Sequence, residues 1–80
     1  MNWMQINVII FGKLKDITGA GSFQLSGVND TNAMMKEMNS LFPALSQMQY
    51  AIAVGDEIIA GNTVLRENDV VALLPPYSGG

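Results

Sequence analysis

The segment Pro75-Pro76-Tyr77-Ser78-Gly79-Gly80 is where the residue types suggest chemistry. Two prolines fix φ near −65° and favour extended polyproline geometry, so the chain is expected to leave the preceding apolar run stiffly. Ser78, Gly79 and Gly80 then add little bulk and much backbone freedom. Six extended residues reach roughly 20 Å. The expected form is a slender probe with a carboxylate at its tip. Such a probe can thread a narrow tunnel into another protein's active site, and glycine lets that site's backbone approach the terminal carbonyl. Gly80 is the candidate reacting terminus, with Gly79 beside it; Pro75, Pro76, Tyr77 and Ser78 are candidate partner contacts. Tyr77 carries no expected role beyond touching the tunnel wall. The competing reading is a terminus without a role. At average glycine usage a terminal pair arises by chance in roughly one chain in 200, so the tail calls for an explanation.

Elsewhere the composition closes off most chemistry. The 80 residues include no Cys and no His, which removes disulfide scaffolds, zinc fingers, iron–sulfur clusters, thiol catalysis and Ser-His-Asp triads. The acidic residues Asp16, Asp30, Glu37, Asp56, Glu57, Glu67 and Asp69 are dispersed and fall in no calcium-loop spacing, so no metal site is expected. The net charge is −3, with Lys13, Lys15, Lys36 and Arg66 the sole basic residues, which argues against nucleic-acid binding. Hydrophobic residues make up 49% and charged residues 14%, the balance of a folded chain rather than a disordered one. No apolar run approaches the roughly 18 residues of a membrane span, and the opening MNWMQINVIIFGK has no basic n-region, so a cytoplasmic protein is expected. At this length the chain is one domain with one modest core, burying about 60% of its surface. An enzyme working alone fits these limits poorly; a partner-binding protein fits them better.

The tail needs a body to position it. Residues 4–11, MQINVIIF, alternate at period two and predict a strand, with Met4, Ile6, Val8 and Ile10 on one face and Ile9 and Phe11 on the other. Gly12 interrupts the run, 13–18 is expected to be a polar connection, and Gly19-Ala20-Gly21 signals a turn. SFQL at 22–25 predicts a second strand, forming a hairpin with the first. Asp30 is the expected N-cap of a helix carrying Met34, Met35, Met38, Leu41 and Phe42 at helical spacing, stopped by Pro43. A methionine cluster can serve as a pliable binding surface. Here Met34 and Met38 are expected to pack on the sheet, because a lone amphipathic helix must bury its stripe.

AIAV (51–54), a Gly55-Asp56 turn and EIIA (57–60) predict two further short strands. Val64 and Leu65 are expected to form a buried anchor, and Glu67-Asn68-Asp69 a turn in which Asn68 tolerates a left-handed backbone. VVALL (70–74) predicts the last strand. The order strand, strand, helix, strand, strand, strand fits the α+β class, with a mixed sheet of four to five strands and one main helix. The helix supplies the crossover that would make the first and last strands parallel neighbours. That is the β-grasp, or ubiquitin-like, roll, here residues 1–74 followed by a flexible tail, 75–80. Other topologies share this element count.

Three stretches carry a family resemblance: VIIFGKLKDITG, AVGDEII and LRENDVVALLPPYSGG. Together they closely resemble the MoaD/ThiS family of ubiquitin-like sulfur carriers over about residues 5–80. The ending LLPPYSGG looks like the MoaD branch, the small subunits of molybdopterin synthase, which typically end Pro-Pro-x-Ser/Thr-Gly-Gly. Thiazole-pathway carriers are usually shorter and generally lack the Pro-Pro. The resemblance implies that Gly80 is adenylated by an ATP-consuming, ubiquitin-activating-like (MoeB-like) adenylyltransferase. It is then converted to a thiocarboxylate with sulfur from a cysteine desulfurase system. It implies no bound cofactor, an active site on the large (MoaE-like) subunit of the synthase, sulfur delivery to the molybdopterin dithiolene, and a heterotetramer of two carriers and two large subunits. Positions matching Phe11, Ile58 and Leu74 contribute apolar contacts to the large subunit in the family. Ile9 is expected to lie near them on the outer face of the sheet. The competing reading assigns these residues to the core or to scattered surface positions. Lys13 and Lys15 are candidates for contacts with acidic partner groups or for a solvated loop. Two other functions stay open: sulfur delivery to thiazole or another metabolite, and protein modification through an isopeptide bond from Gly80 to lysine.

Overall fold

A computed structural model describes residues 4–75. The elements are β1 (Gln5–Ile10), α1 (Leu14–Thr18), β2 (Ser22–Ser26), α2 (Thr31–Leu41), a 3-10 turn (Pro43–Gln47), β3 (Ala51–Val54), β4 (Glu57–Ile58) and β5 (Val70–Leu74). They build one five-stranded mixed sheet in the order β2-β1-β5-β3-β4. The last strand therefore lies at the centre, parallel to β1 on one side and antiparallel to β3 on the other. This is the expected β-grasp arrangement. No helix among the described residues is long and apolar enough to cross a membrane.

The core forms where the two periodicities meet. Period-two alternation sends Ile6, Val8 and Ile10 of β1 and Val71 and Leu73 of β5 to one face. Met34 and Met38 of α2 are fully buried against that cluster, as are Leu14 and Leu45. The methionines are core residues, as their spacing predicts. Phe42, at the C-cap of α2, meets Phe23 of β2 with ring centroids 5.3 Å apart in a tilted pair.

Four local expectations require correction. The polar connection over 13–18 contains α1, because Leu14 reaches the core and Ile17 and Thr18 follow on the same side; Gly19, at φ 76°, ends it. The strand expected at 57–60 is shorter: β4 covers Glu57 and Ile58, the Ile59 N–H adds one more bond to the Ile52 carbonyl at 2.9 Å, and Ala60 lies beyond the strand. Of the Val64-Leu65 pair, Leu65 is buried and Val64 is 75% exposed, since adjacent residues of extended chain point to opposite sides. Leu41, on the apolar stripe of α2, is half exposed at the last residue of the helix.

Candidate functional site

The sheet has a second face, away from α2, and its side chains follow from register alone. One row runs straight across five strands: Ser22, Ile9, Ala72, Ala53, Ile58. A second joins Gln24, Asn7 and Val70, and a third joins Leu74 to Ala51. Phe11 continues the alternation of β1 beside Leu74, its N–H donating to the Leu73 carbonyl at 3.1 Å. From Ile9 to Ile58 the row spans three strand spacings, about 14 Å.

This outer face is apolar and open. Phe11 is 46%, Val70 48% and Ile58 68% exposed. Ala72 and Ala53 lie between the larger side chains and keep the middle low. A hollow of about 370 Å³ results, lined by Ala53, Gly55, Val70 and Ala72, with Asp56, Asn68 and Asp69 at its polar edge. Gly55 and Asp56 both adopt positive φ in the tight β3–β4 turn, as does Asn68 in the turn before β5. The Asp69 carboxylate is held in that turn by the Arg66 N–H at 2.8 Å. Contiguous exposed apolar area of this kind marks an interaction surface.

The tail starts at the edge of this face. β5 ends at Leu74, and Pro75 then lies against Gly12, the residue that follows Phe11. Phe11, Leu74 and Pro75 are thus brought together where the parallel β1–β5 pair ends, and Ile58 stands across the same face on the edge strand. Pro76, Tyr77, Ser78, Gly79 and Gly80 lie outside the described residues. Lys13 and Lys15 are both exposed around the start of α1. The sequence reading missed Val70, Ala72, Ala53 and Gly12. Alternation in VVALL carries the signal for the first two; Ala53 and Gly12 become visible only through pairing.

A second cleft, about 280 Å³, lies at the N-terminus of α2 between Asn32, Met35, Tyr50, Ile59 and Asn62. The polar groups at its helix end are already engaged with one another. Asn62 Oδ1 accepts the Asn32 N–H at 2.8 Å and the Thr31 hydroxyl at 3.3 Å, and Asp30 Oδ1 accepts the Ala33 N–H at 2.8 Å. The Ala33 N–H, and then the Asn62 side-chain amide, hold the Asp30 carboxyl below its ordinary value of 3.8. A depressed carboxylate stabilises the fold above the unfolded value, and this contribution is lost as pH falls through the folded value. Asp30→Asn is therefore expected to lose less thermal stability than the parent on acidification through the carboxylate range. Parallel melting curves of the two from neutral pH downward check it; identical acid dependence would contradict the cap.

Comparison with known proteins adds a family. The sequence model of the ThiS family matches residues 8–80. The molybdopterin synthase sulfur carrier subunit of Homo sapiens is 30% identical over 87 residues, covering 95% of this chain and 94% of that protein. A solved protein–protein complex of subunits 1 and 2 of the molybdopterin-converting factor from Helicobacter pylori contains a chain 34% identical to this one. The match covers 96% of this chain and 100% of that one, with a TM-score of 0.67. The small archaeal modifier protein 1 of Methanosarcina acetivorans is 21% identical over the whole of both chains, with a TM-score of 0.81, a likeness of fold.

Proposed function

The chain belongs to the ThiS family, and from that premise we propose that it is the sulfur carrier subunit of a molybdopterin synthase, bearing sulfur as a thiocarboxylate on Gly80. The observation that carries this reading is the extent of the family match, which runs through the Gly79-Gly80 pair to residue 80. Support comes also from the human relative, a molybdopterin synthase sulfur carrier subunit, and from the outer apolar face beside the root of the tail.

The chemistry follows from the poor reactivity of a carboxylate. A carboxylate oxygen of Gly80 attacks the α-phosphorus of ATP on an activating, MoeB-like partner, and pyrophosphate leaves. The acyl-adenylate now holds a good leaving group. A sulfur nucleophile at the hydrosulfide level, supplied by a desulfurase system, adds at the acyl carbon, and AMP departs with the C–O bond electrons. The carrier binds no cofactor in this cycle; ATP is consumed on the partner. The outer face docks on the large, MoaE-like subunit, and the tail delivers sulfur to the active site there. Two carriers and two large subunits would form the cytoplasmic assembly.

Intact-mass measurement tests this directly. The protein is incubated with ATP, its activating enzyme and a sulfur source. A gain of about 16 Da, sulfur replacing oxygen, localised to Gly80 is the expected result. Isopeptide conjugates between Gly80 and lysines, without that gain, would replace the reading with protein modification. An unmodified chain in the presence of a competent activating enzyme would overturn it.

A further inference from the structure

We propose that Gly12 is a positioning residue for the tail: the space its missing side chain leaves is the seat of the Pro75 ring, and that seat sets the direction in which the chain leaves the sheet. The observation is a close approach. A Cβ on Gly12 would stand 2.6 Å from Pro75 Cγ, 3.5 Å from its Cδ and 3.6 Å from its Cβ. Carbon atoms in contact sit about 3.5–4.0 Å apart, so the first distance is nearly 1 Å too short. The Pro75 ring is closed through its own backbone nitrogen, so Cγ is confined to the small displacement of ring pucker and cannot rotate away as the end of a free side chain would.

The ladder explains why a packing contact is needed here. In the parallel β1–β5 pair the Asn7 N–H donates to the Asp69 carbonyl at 2.9 Å, and the Phe11 N–H donates to the Leu73 carbonyl at 3.1 Å. The alternation of a parallel ladder makes residue 75 the next donor on β5, toward the Phe11 carbonyl. Residue 75 is proline and has no N–H. The hydrogen bond that would fix this point of the chain is absent by covalent structure, and the seat on Gly12 takes its place. Gly12 itself is held from both sides. Its carbonyl accepts the Lys15 N–H at 3.1 Å, opening α1, and the preceding Phe11 is tied to Leu73. A side chain at position 12 is therefore relieved by moving Pro75.

Positive φ alone does not account for this glycine. Gly12, Gly19 and Gly27 all have φ between 62° and 76°, yet a Cβ on Gly19 or Gly27 would meet nothing within 4 Å. Gly27→Ala thus carries the same backbone strain without the collision, which makes it the matched control.

The cysteine-free chain permits a single spin label at Ser78→Cys. Paramagnetic broadening of the amides around Phe11, Ala72 and Ala53 then reports where the tail leaves. Gly12→Ala is expected to change which amides broaden, and Gly27→Ala to leave the pattern as in the parent. Pro75→Ala removes the ring and also returns the N–H that the ladder lacks at this point, so it serves as the background in which the collision is absent. An unchanged pattern in Gly12→Ala would overturn the proposal; should Gly12→Ala not fold, failure of added Pro75→Ala to restore its folding would overturn it, because the collision is with the Pro75 ring. The second readout rests on the sulfur-carrier reading. With the activating enzyme, Gly12→Ala is expected to raise KM for the carrier about tenfold with kcat nearly kept, because the tail takes the binding-competent direction less often while its bound pose is unchanged. In a Pro75→Ala background, adding Gly12→Ala should cost no more than adding Gly27→Ala. Equal KM for Gly12→Ala and Gly27→Ala with the Pro75 ring present would overturn the proposal. A parent chain that is not adenylated overturns the carrier reading instead, and the label experiment then decides on Gly12 alone.

Discussion

Removal of Gly79 and Gly80 is expected to abolish thiocarboxylate formation and to leave the fold untouched. The truncated chain still ends in a carboxylate, now on Ser78, but two extended residues shorten the reach by about 7 Å. Acyl transfer is sensitive to misplacement by a single ångström, which can cost about a hundredfold. A shortfall of several ångströms therefore removes measurable turnover. The core draws on residues between Ile6 and Leu73, so the melting temperature should match the parent's. Gly79→Val keeps the length and tests bulk: a β-branched side chain in a narrow tunnel should also block activation. Mass spectrometry after incubation with the activating enzyme, paired with a thermal melt, checks both variants. Turnover in the truncated protein would refute the assignment of Gly80, and a large stability loss would show that the tail belongs to the core.

Phe11→Asp is expected to weaken binding to the large subunit by about 100-fold or more. Burying a phenylalanine contributes about 1.5–3 kcal/mol, and each 1.4 kcal/mol is a factor of ten in affinity. An aspartate at the same point adds the cost of desolvating an unpaired charge. The monomer should tolerate the change, because Phe11 is 46% exposed and lies outside the core cluster. Leu74→Asp acts on the same corner of the face, and Ile58→Asp on its far edge. Val64→Asp is the informative control: Val64 is more exposed than any of them, but it pairs with Asp30 at the start of α2 rather than lying on the outer face. Calorimetric titration against the large subunit should separate the two groups. Parent-like affinity for Phe11→Asp would remove the outer face from the interface.

The elements legible in the sequence are those whose signal is local. Alternation marks β1 and β5, methionine spacing marks α2, and Asp30 and Pro43 set its limits. The Gly55-Asp56 turn is legible for the same reason, since few residue pairs accept two positive φ values. What escaped depends on tertiary contact. A helix as short as α1 has no stability of its own and forms because Leu14 has a core to enter. Whether Val64 or Leu65 points inward is decided by the neighbouring chain rather than by either residue. For the candidate site, the proposed reacting end is legible as a motif, and Phe11, Ile58 and Leu74 are legible as one face once β1 and β5 are neighbours. The seat of Pro75 on Gly12 is not. The two residues lie near opposite ends of the sequence, and only the parallel pairing brings them together.

That pairing also governs how the molecule responds to force. β1 and β5 run in the same direction at the centre of the sheet, so their outer ends lie at opposite ends of the ladder. Tension applied between the beginning of β1 and the tail slides one strand along the other. The bonds from Asn7 to Asp69 and from Phe11 to Leu73, with those between them, then bear the load together instead of parting one after another. Forced unfolding is governed by the rate of barrier crossing, and a ladder loaded in shear must break several bonds in one event. On the proposed function, a partner that holds the tail would therefore load this ladder in shear rather than peel it from the end it holds.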